Sequence, residues 1–282
     1  MTNEPLDKII IKKIFNSKKG KNFHRRGLQD NISEIKINFF DHSIRFNPHD
    51  SIGARIYSYG AHTRNAIDDA IRLLNQKKIL KKNSTCIEFG SNIGTHTIYM
   101  HLHKHFKEIY AIEPEENNYH LLLQNLKDNK LINKTKVLKF AISNISGEVK
   151  LFKDKKNSGA HSLLNTDEKQ EYELIQSITP KQLFKKYKIN NLGFAFFDIE
   201  GMEYSVIPDF IKEAKNNVPI FFEFTPHLYG KEDTSMFLNF LDKTYNHFVF
   251  YQDSKVKFTK KEVNNIYDIL NFNFVQCDLL AY

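Results

Sequence analysis

From Thr85 to Phe224, short apolar segments alternate with stretches whose apolar residues recur at helical spacing. No other feature narrows the possible folds so far. The segments "TCIEFG", "EIYAIEP", "KVLKFAIS", "GFAFFDIEG" and "VPIFFEF" read as strands. Helices are expected over Thr95–His105, on Tyr119, Leu122, Leu123 and Leu126, on Ile207, Phe210, Ile211 and Ala214, and on Phe237, Phe240 and Leu241. Strands that alternate with single helices build βαβ units, and hence an α/β fold with a mostly parallel sheet covered on both faces. Two more strands, "HFVFYQ" and "FVQCDLLAY", close the pattern.

Upstream, "EIKINFFDHSIRFN" alternates as a short hairpin, and Ala66, Ile67, Ala70, Ile71 and Leu74 are spaced as a helix. The rhythm breaks between 146 and about 190, where "GEVKLFKD" reads as an added strand and "TPKQLFKKY" as a short helix. The expected organisation is an N-terminal extension over 1–64 and an α/β domain over 65–282 with an insertion at about 146–190. The extension is a candidate contact for substrate or for a second copy of the chain in a homodimer.

Charge and cysteine content bound the function. Lys and Arg number 41 against 33 Asp and Glu, a net charge of +8, but they are spread along the chain with local clusters at 12–21, 77–82 and 255–261. These clusters read as solvated faces. With no aromatic single-strand platform or zinc motif beside them, nucleic acid is a disfavoured partner. Cys86 and Cys277 are too few for a disulfide framework and read as buried thiols, which suits a reducing, cytoplasmic setting. No membrane span or signal peptide is expected.

In an open α/β sheet, ligands sit beyond the carboxyl ends of the strands. Here each of four such ends carries a carboxylate: Glu88, Glu113, Asp198 with Glu200, and Glu223. After the first of these strands, Gly90 permits a left-handed turn and close backbone approach, and Gly94 permits tight entry into the next helix. A dinucleotide fingerprint places glycine at 92 and 95, where this chain has Asn92 and Thr95, which weakens a nicotinamide oxidoreductase reading. Glu88 beside such a turn suits a cation better than a pyrophosphate. Glu113 lies 23 positions beyond Gly90 and is placed to accept ribose hydroxyls.

The pattern E-x-G-x-N-x-G resembles motif I of class I S-adenosylmethionine-dependent methyltransferases. "IEFGSNIGTHT", "YAIEPEENNYHLLLQNLKDN", "AISNISGEV", "SGAHSL" and "FFDIEGMEYSVI", in this order, resemble the FkbM-like methyltransferase family. The resemblance implies a Rossmann-like fold with a mostly parallel, seven-stranded sheet, S-adenosylmethionine as donor, and O-methylation of a hydroxyl on a sugar, glycan or small natural product. It also implies Glu88, Gly90, Asn92 and Gly94 around the methionine part, Glu113 at the ribose, and Ala141 and Ile142 at the adenine.

Asp198 and Glu200 share one side of the fourth strand's end and are candidates for positioning the acceptor or serving as its base. Mg²⁺ held by Asp198 and Glu200 with Glu223 or His227 is the lesser alternative, and no residue is assigned as a metal ligand. His161 is a further candidate base. The run His96, His101, His103 and His105 lacks a metal signature and reads as a solvated helix face. Other readings are a nucleic-acid or protein methyltransferase and an inactive nucleoside-binding protein of the same fold. Against amine methylation, "DIEG" at 198–201 stands where a D/N-P-P-Y-like turn is usual.

Overall fold

A computed structural model describes residues 32–155, 157–164, 170–251, 255–259 and 276–282, with isolated positions before 32. The expected alternation is present. Strands β3 (Ser84–Phe89), β4 (Phe106–Ile112), β5 (Thr135–Leu138), β9 (Leu192–Phe197) and β10 (Ile220–Phe224) run parallel, in the order β10-β9-β3-β4-β5. Strand β13 (Cys277–Ala281) enters antiparallel beside β10, and β11 (His247–Tyr251) lies beyond it. These seven strands are the expected class I methyltransferase sheet. Strand β12 (Lys255–Thr259) adds an eighth at the edge, antiparallel to β11.

The central strands are mostly apolar because both faces are covered, with Glu88 and Glu223 near the carboxyl ends of β3 and β10. Phe89 stacks on Phe197 with ring centroids 4.7 Å apart, and both meet Phe210 edge-on. On the other face Phe196 stacks on Phe221 at 5.2 Å. Burying a phenylalanine contributes roughly 1.5–3 kcal/mol, so these pairs lock β3, β9 and β10 in register with one another. Helices α3 (Thr95–Leu102) and α4 (Glu116–Asp128) follow β3 and β4, while α6 (Glu203–Ala214) follows β9.

The hairpin expected near the N-terminus is β1 (Ile35–Asn38) and β2 (Ser43–Phe46). Its β2 docks on α4, where the side chains of Asn125 and Asn129 accept from the N–H groups of Arg45 and Ser43 at 2.7 and 2.9 Å. Helix α1 (Ser51–Tyr59) is started by Asp50, whose carboxylate accepts from the Ile52 N–H at 2.9 Å. Helix α2 (Arg64–Gln76) then buries Ile67, Ala70, Ile71 and Leu74, the face expected of it.

The third expected strand is split. β5 ends at Leu138, and β6 (Ala141–Ile142) turns away into a second sheet, β6-β8-β7. There β7 (Gly147–Phe152) pairs antiparallel with β8 (Tyr172–Ile178), and β6 pairs with the far end of β8. Helix α5 (Pro180–Tyr187) forms where expected because Thr179 and Gln182 make a capping box and Pro180 opens its first turn.

Candidate active site

A cavity of about 680 Å³ lies where the carboxyl ends of β3, β4, β9 and β10 converge. Its middle is the turn after β3. Gly90 has φ of 79°, and a Cβ there would stand 1.7 Å from the carbonyl oxygen of Asp198, so only glycine lets this turn lie against the end of β9. The Asn92 N–H donates to Oε2 of Glu113 at 2.8 Å, and the Glu115 N–H donates to Oε1 at 2.9 Å. Burial pushes the Glu113 carboxyl up to about 7, opposed by these amides, which favour its charged form. Phe140, Ala141 and Ile142 give the same cavity an apolar wall. A carboxylate fixed near an apolar wall suits a nucleoside, with its hydroxyls on the acid and its flat base on the wall.

The segment 157–163 lines the cavity and is tied down from three sides at Ser158. The Ser158 N–H donates to Asp50 Oδ1 at 2.6 Å, while its carbonyl accepts from the side-chain amides of Asn92 and Asn118 at 3.2 and 3.0 Å.

Carboxylates gather on the opposite side of the Gly90 turn. Asp198, Glu200, Glu223 and Asp278 all line the cavity, with Asp278 directly across from Glu223 on β13. Burial is the largest cause of the raised proton affinity of Asp198 and Glu200, and the charge of Glu223 adds to it. Glu203 is fully buried behind them, accepting from the N–H groups of Ile199 and Gly201 at 2.8 and 3.0 Å and from the Tyr229 hydroxyl at 3.1 Å. It holds the backbone from Asp198 to Gly201 in shape, with Glu200 at φ 50° and Gly201 at φ 101°.

A family model for the methyltransferase FkbM domain matches residues 88–253, more than half of the chain. The chain belongs to this family. No curated protein matches it by sequence. The similar solved structures include a methyltransferase FkbM from Methylobacillus flagellatus KT, at 14% identity and TM-score 0.42, with 71% of this chain and 44% of that one covered. The M. jannaschii TYW2 structure in complex with AdoMet is 12% identical, with TM-score 0.44 and coverage of 90% and 87%. The precorrin-6y C5,15-methyltransferase from Geobacter metallireducens GS-15 is 10% identical, with TM-score 0.40 and coverage of 78% and 86%.

In this FkbM-domain protein, Gly90, Asn92, Glu113, Ala141, Ile142, His161, Asp198 and Glu200 all line one cavity. Two of the expected contacts do not. Glu88 is fully buried beneath the turn, with Oε2 accepting from the Thr97 hydroxyl and Oε1 left without a partner, and burial raises its carboxyl to about 8. Its side chain therefore supports the turn from below and does not line the cavity. Gly94 has φ of 87° and a Cβ there would press on Leu122 at 2.6 Å, so it serves the packing of α3 on α4.

His161 is a poor base. Its Nδ1 accepts from the Asp154 N–H at 3.0 Å, and burial lowers its proton affinity, so the neutral ring carries its hydrogen on Nε2 as a donor. The histidine run is not a solvated face either. His96 and His101 are buried, because α3 is enclosed by the sheet and its neighbours. His96 lies between His62 and Phe196, with ring centroids 5.7 and 4.8 Å away, and His101 meets the Thr135 hydroxyl at 2.9 Å. His103 pairs with Asp68 at 2.7 Å. His227 is exposed and lies outside the cavity lining.

Sequence reasoning missed Arg55, Asn118, Ser158, Gln276 and Asp278 in the lining. Asp278 alone carried a signal, as an acid inside the apolar strand "CDLLA".

Proposed function

We propose that this chain transfers the methyl group of S-adenosylmethionine to a hydroxyl on a sugar, glycan or small natural product. One observation carries this reading: Glu113 and the pair Asp198 and Glu200 flank the Gly90 turn within a single cavity. The donor, when bound, supplies a methyl group on a sulfonium centre. Glu113, held by two amides, accepts the ribose hydroxyls, and the wall of Phe140, Ala141 and Ile142 borders the adenine. Gly90 and Asn92 face the methionine part.

The chain's own work lies in aim and proton handling. One of Asp198 and Glu200, in its ionised form, receives the proton of the acceptor hydroxyl as its oxygen takes the methyl group, and the other positions that hydroxyl. His161 lines the cavity with Nδ1 taken by the Asp154 N–H, which leaves Nε2–H to donate to a bound molecule. The Ser158 segment, gripped by Asp50, Asn92 and Asn118, forms a fixed wall of the cavity.

Incubation with methyl-tritiated S-adenosylmethionine and fractionated cell extract tests the acceptor class. The reading expects label in carbohydrate or small-molecule fractions, released with the chemistry of an ether. Label in RNA or protein would contradict the acceptor, and no label in any fraction would contradict the transferase.

A further inference from the structure

The acceptor end of the cavity gathers carboxyl groups that no cationic side chain pairs among the described residues. Asp198, Glu200 and Glu223 each bring one carboxylate oxygen to within 4.8 Å of the others. Among the described residues, no salt bridge reaches any of the three, and no hydrogen-bond donor reaches the carboxylates of Asp198 and Glu200. Arg55 also lines the cavity, but its charge acts on Asp278. Glu223 is only 8% exposed. Its Oε1 takes the Gln276 amide, while Oε2 is buried without a hydrogen-bond partner, and the residue lines the cavity.

The backbone enforces this convergence. Glu200 sits at φ 50°, its carbonyl held by the Ser162 hydroxyl at 2.6 Å, and the amides on either side of it are held by Glu203. Strand β10 carries Glu223 to the same place from the neighbouring strand. Three converging carboxylates, one with an unpartnered buried oxygen, form a donor set that a cation would satisfy. Their donors are all hard oxygens, which suit Mg²⁺ or Mn²⁺ over softer ions.

We propose that Asp198, Glu200 and Glu223 bind one hard divalent cation at the acceptor end of the cavity. The ion's part in positioning the acceptor oxygen rests on the methyltransferase reading above; its binding does not.

The test uses the full chain, stripped with EDTA and titrated with Mn²⁺ while the free-ion EPR signal is recorded. One site per chain is expected, displaced by Mg²⁺. Asp198→Asn and Glu223→Gln should each weaken it at least about tenfold, and Glu116→Gln, an exposed acid, should not. S-adenosylhomocysteine is titrated into the same samples, which reports folding and tests the donor site separately. A variant that binds this nucleoside normally but has lost Mn²⁺ supports the site. Wild-type protein that ignores millimolar Mn²⁺, or binding that Asp198→Asn and Glu223→Gln leave untouched, overturns it. Mn²⁺ bound with no S-adenosylhomocysteine bound would leave the ion site standing and sink the donor reading.

Discussion

The Asn92 N–H donates to Oε2 of Glu113 at 2.8 Å, which joins the turn after β3 to the acid that ends β4. Asn92 also reaches the Ser158 carbonyl through its side chain and stands at φ 47°, a conformation asparagine tolerates better than most residues. Asn92→Ala should therefore cost roughly 1–3 kcal/mol of stability and loosen the segment over the cavity. Urea unfolding measures the first effect. Hydrogen exchange at 157–163 measures the second, and unchanged protection there would contradict the tie.

Gly90→Ala is predicted to be worse. The new methyl group would meet the Asp198 carbonyl at 1.7 Å, and the backbone sits at φ 79°. Strain and overpacking together should cost about 2–5 kcal/mol, seen as a lowered Tm. A variant of native Tm would mean that the ends of β3 and β9 are not in this contact.

His101 ties stability to acid. Burial holds its pKa at about 4, below the ordinary value of 6.5. The unfolded chain therefore takes up the proton first as pH falls. The stabilisation is complete above 6.5 and is lost between 6.5 and 4, at up to about 1.4 kcal/mol per pH unit. His101→Gln, which keeps a polar group near Thr135, should flatten the denaturant stability profile in that window. An unchanged slope would contradict the buried, neutral ring.

Glu88 acts with the opposite sign. Its folded pKa of about 8 lies above the ordinary 4.5, so the native state keeps a proton that the unfolded chain gives up. Its contribution is intact below 4.5 and is lost as pH rises toward 8. Glu88→Gln keeps an acceptor for Thr97 and removes the titration. It should gain stability over wild type as pH climbs from 5 to 8, as measured by thermal denaturation. A constant difference between the two proteins would show that Glu88 is ionised throughout.

The parallel core and the cavity-lining acids could be read from the sequence because both are local patterns. "GFAFFDIEG" shows a two-faced buried strand and the acids that end it in one glance. The unread features depend on distant pairing. Strand β6 leaves the main sheet because its partner, β8, lies more than thirty residues further on, and nothing in "KVLKFAIS" signals that. Asp278 reaches the site only because β13 inserts between β10 and β11. The histidines of α3 look solvated in a row of letters, yet three-dimensional packing covers the whole helix. Glu88 stands near the end of its strand as the letters suggest, yet its carboxylate is buried outside the cavity lining, since spacing gives position along a strand and not the direction of a side chain.

Calorimetric titration of S-adenosylhomocysteine into wild-type protein and Glu113→Ala tests the central claim most directly. The account predicts saturable one-to-one binding to the wild type and a loss of at least about tenfold in the variant, whose fold is confirmed by circular dichroism. Equal affinity in the two proteins would contradict the assignment of Glu113 to the ribose, and absence of binding to the wild type would contradict the site itself.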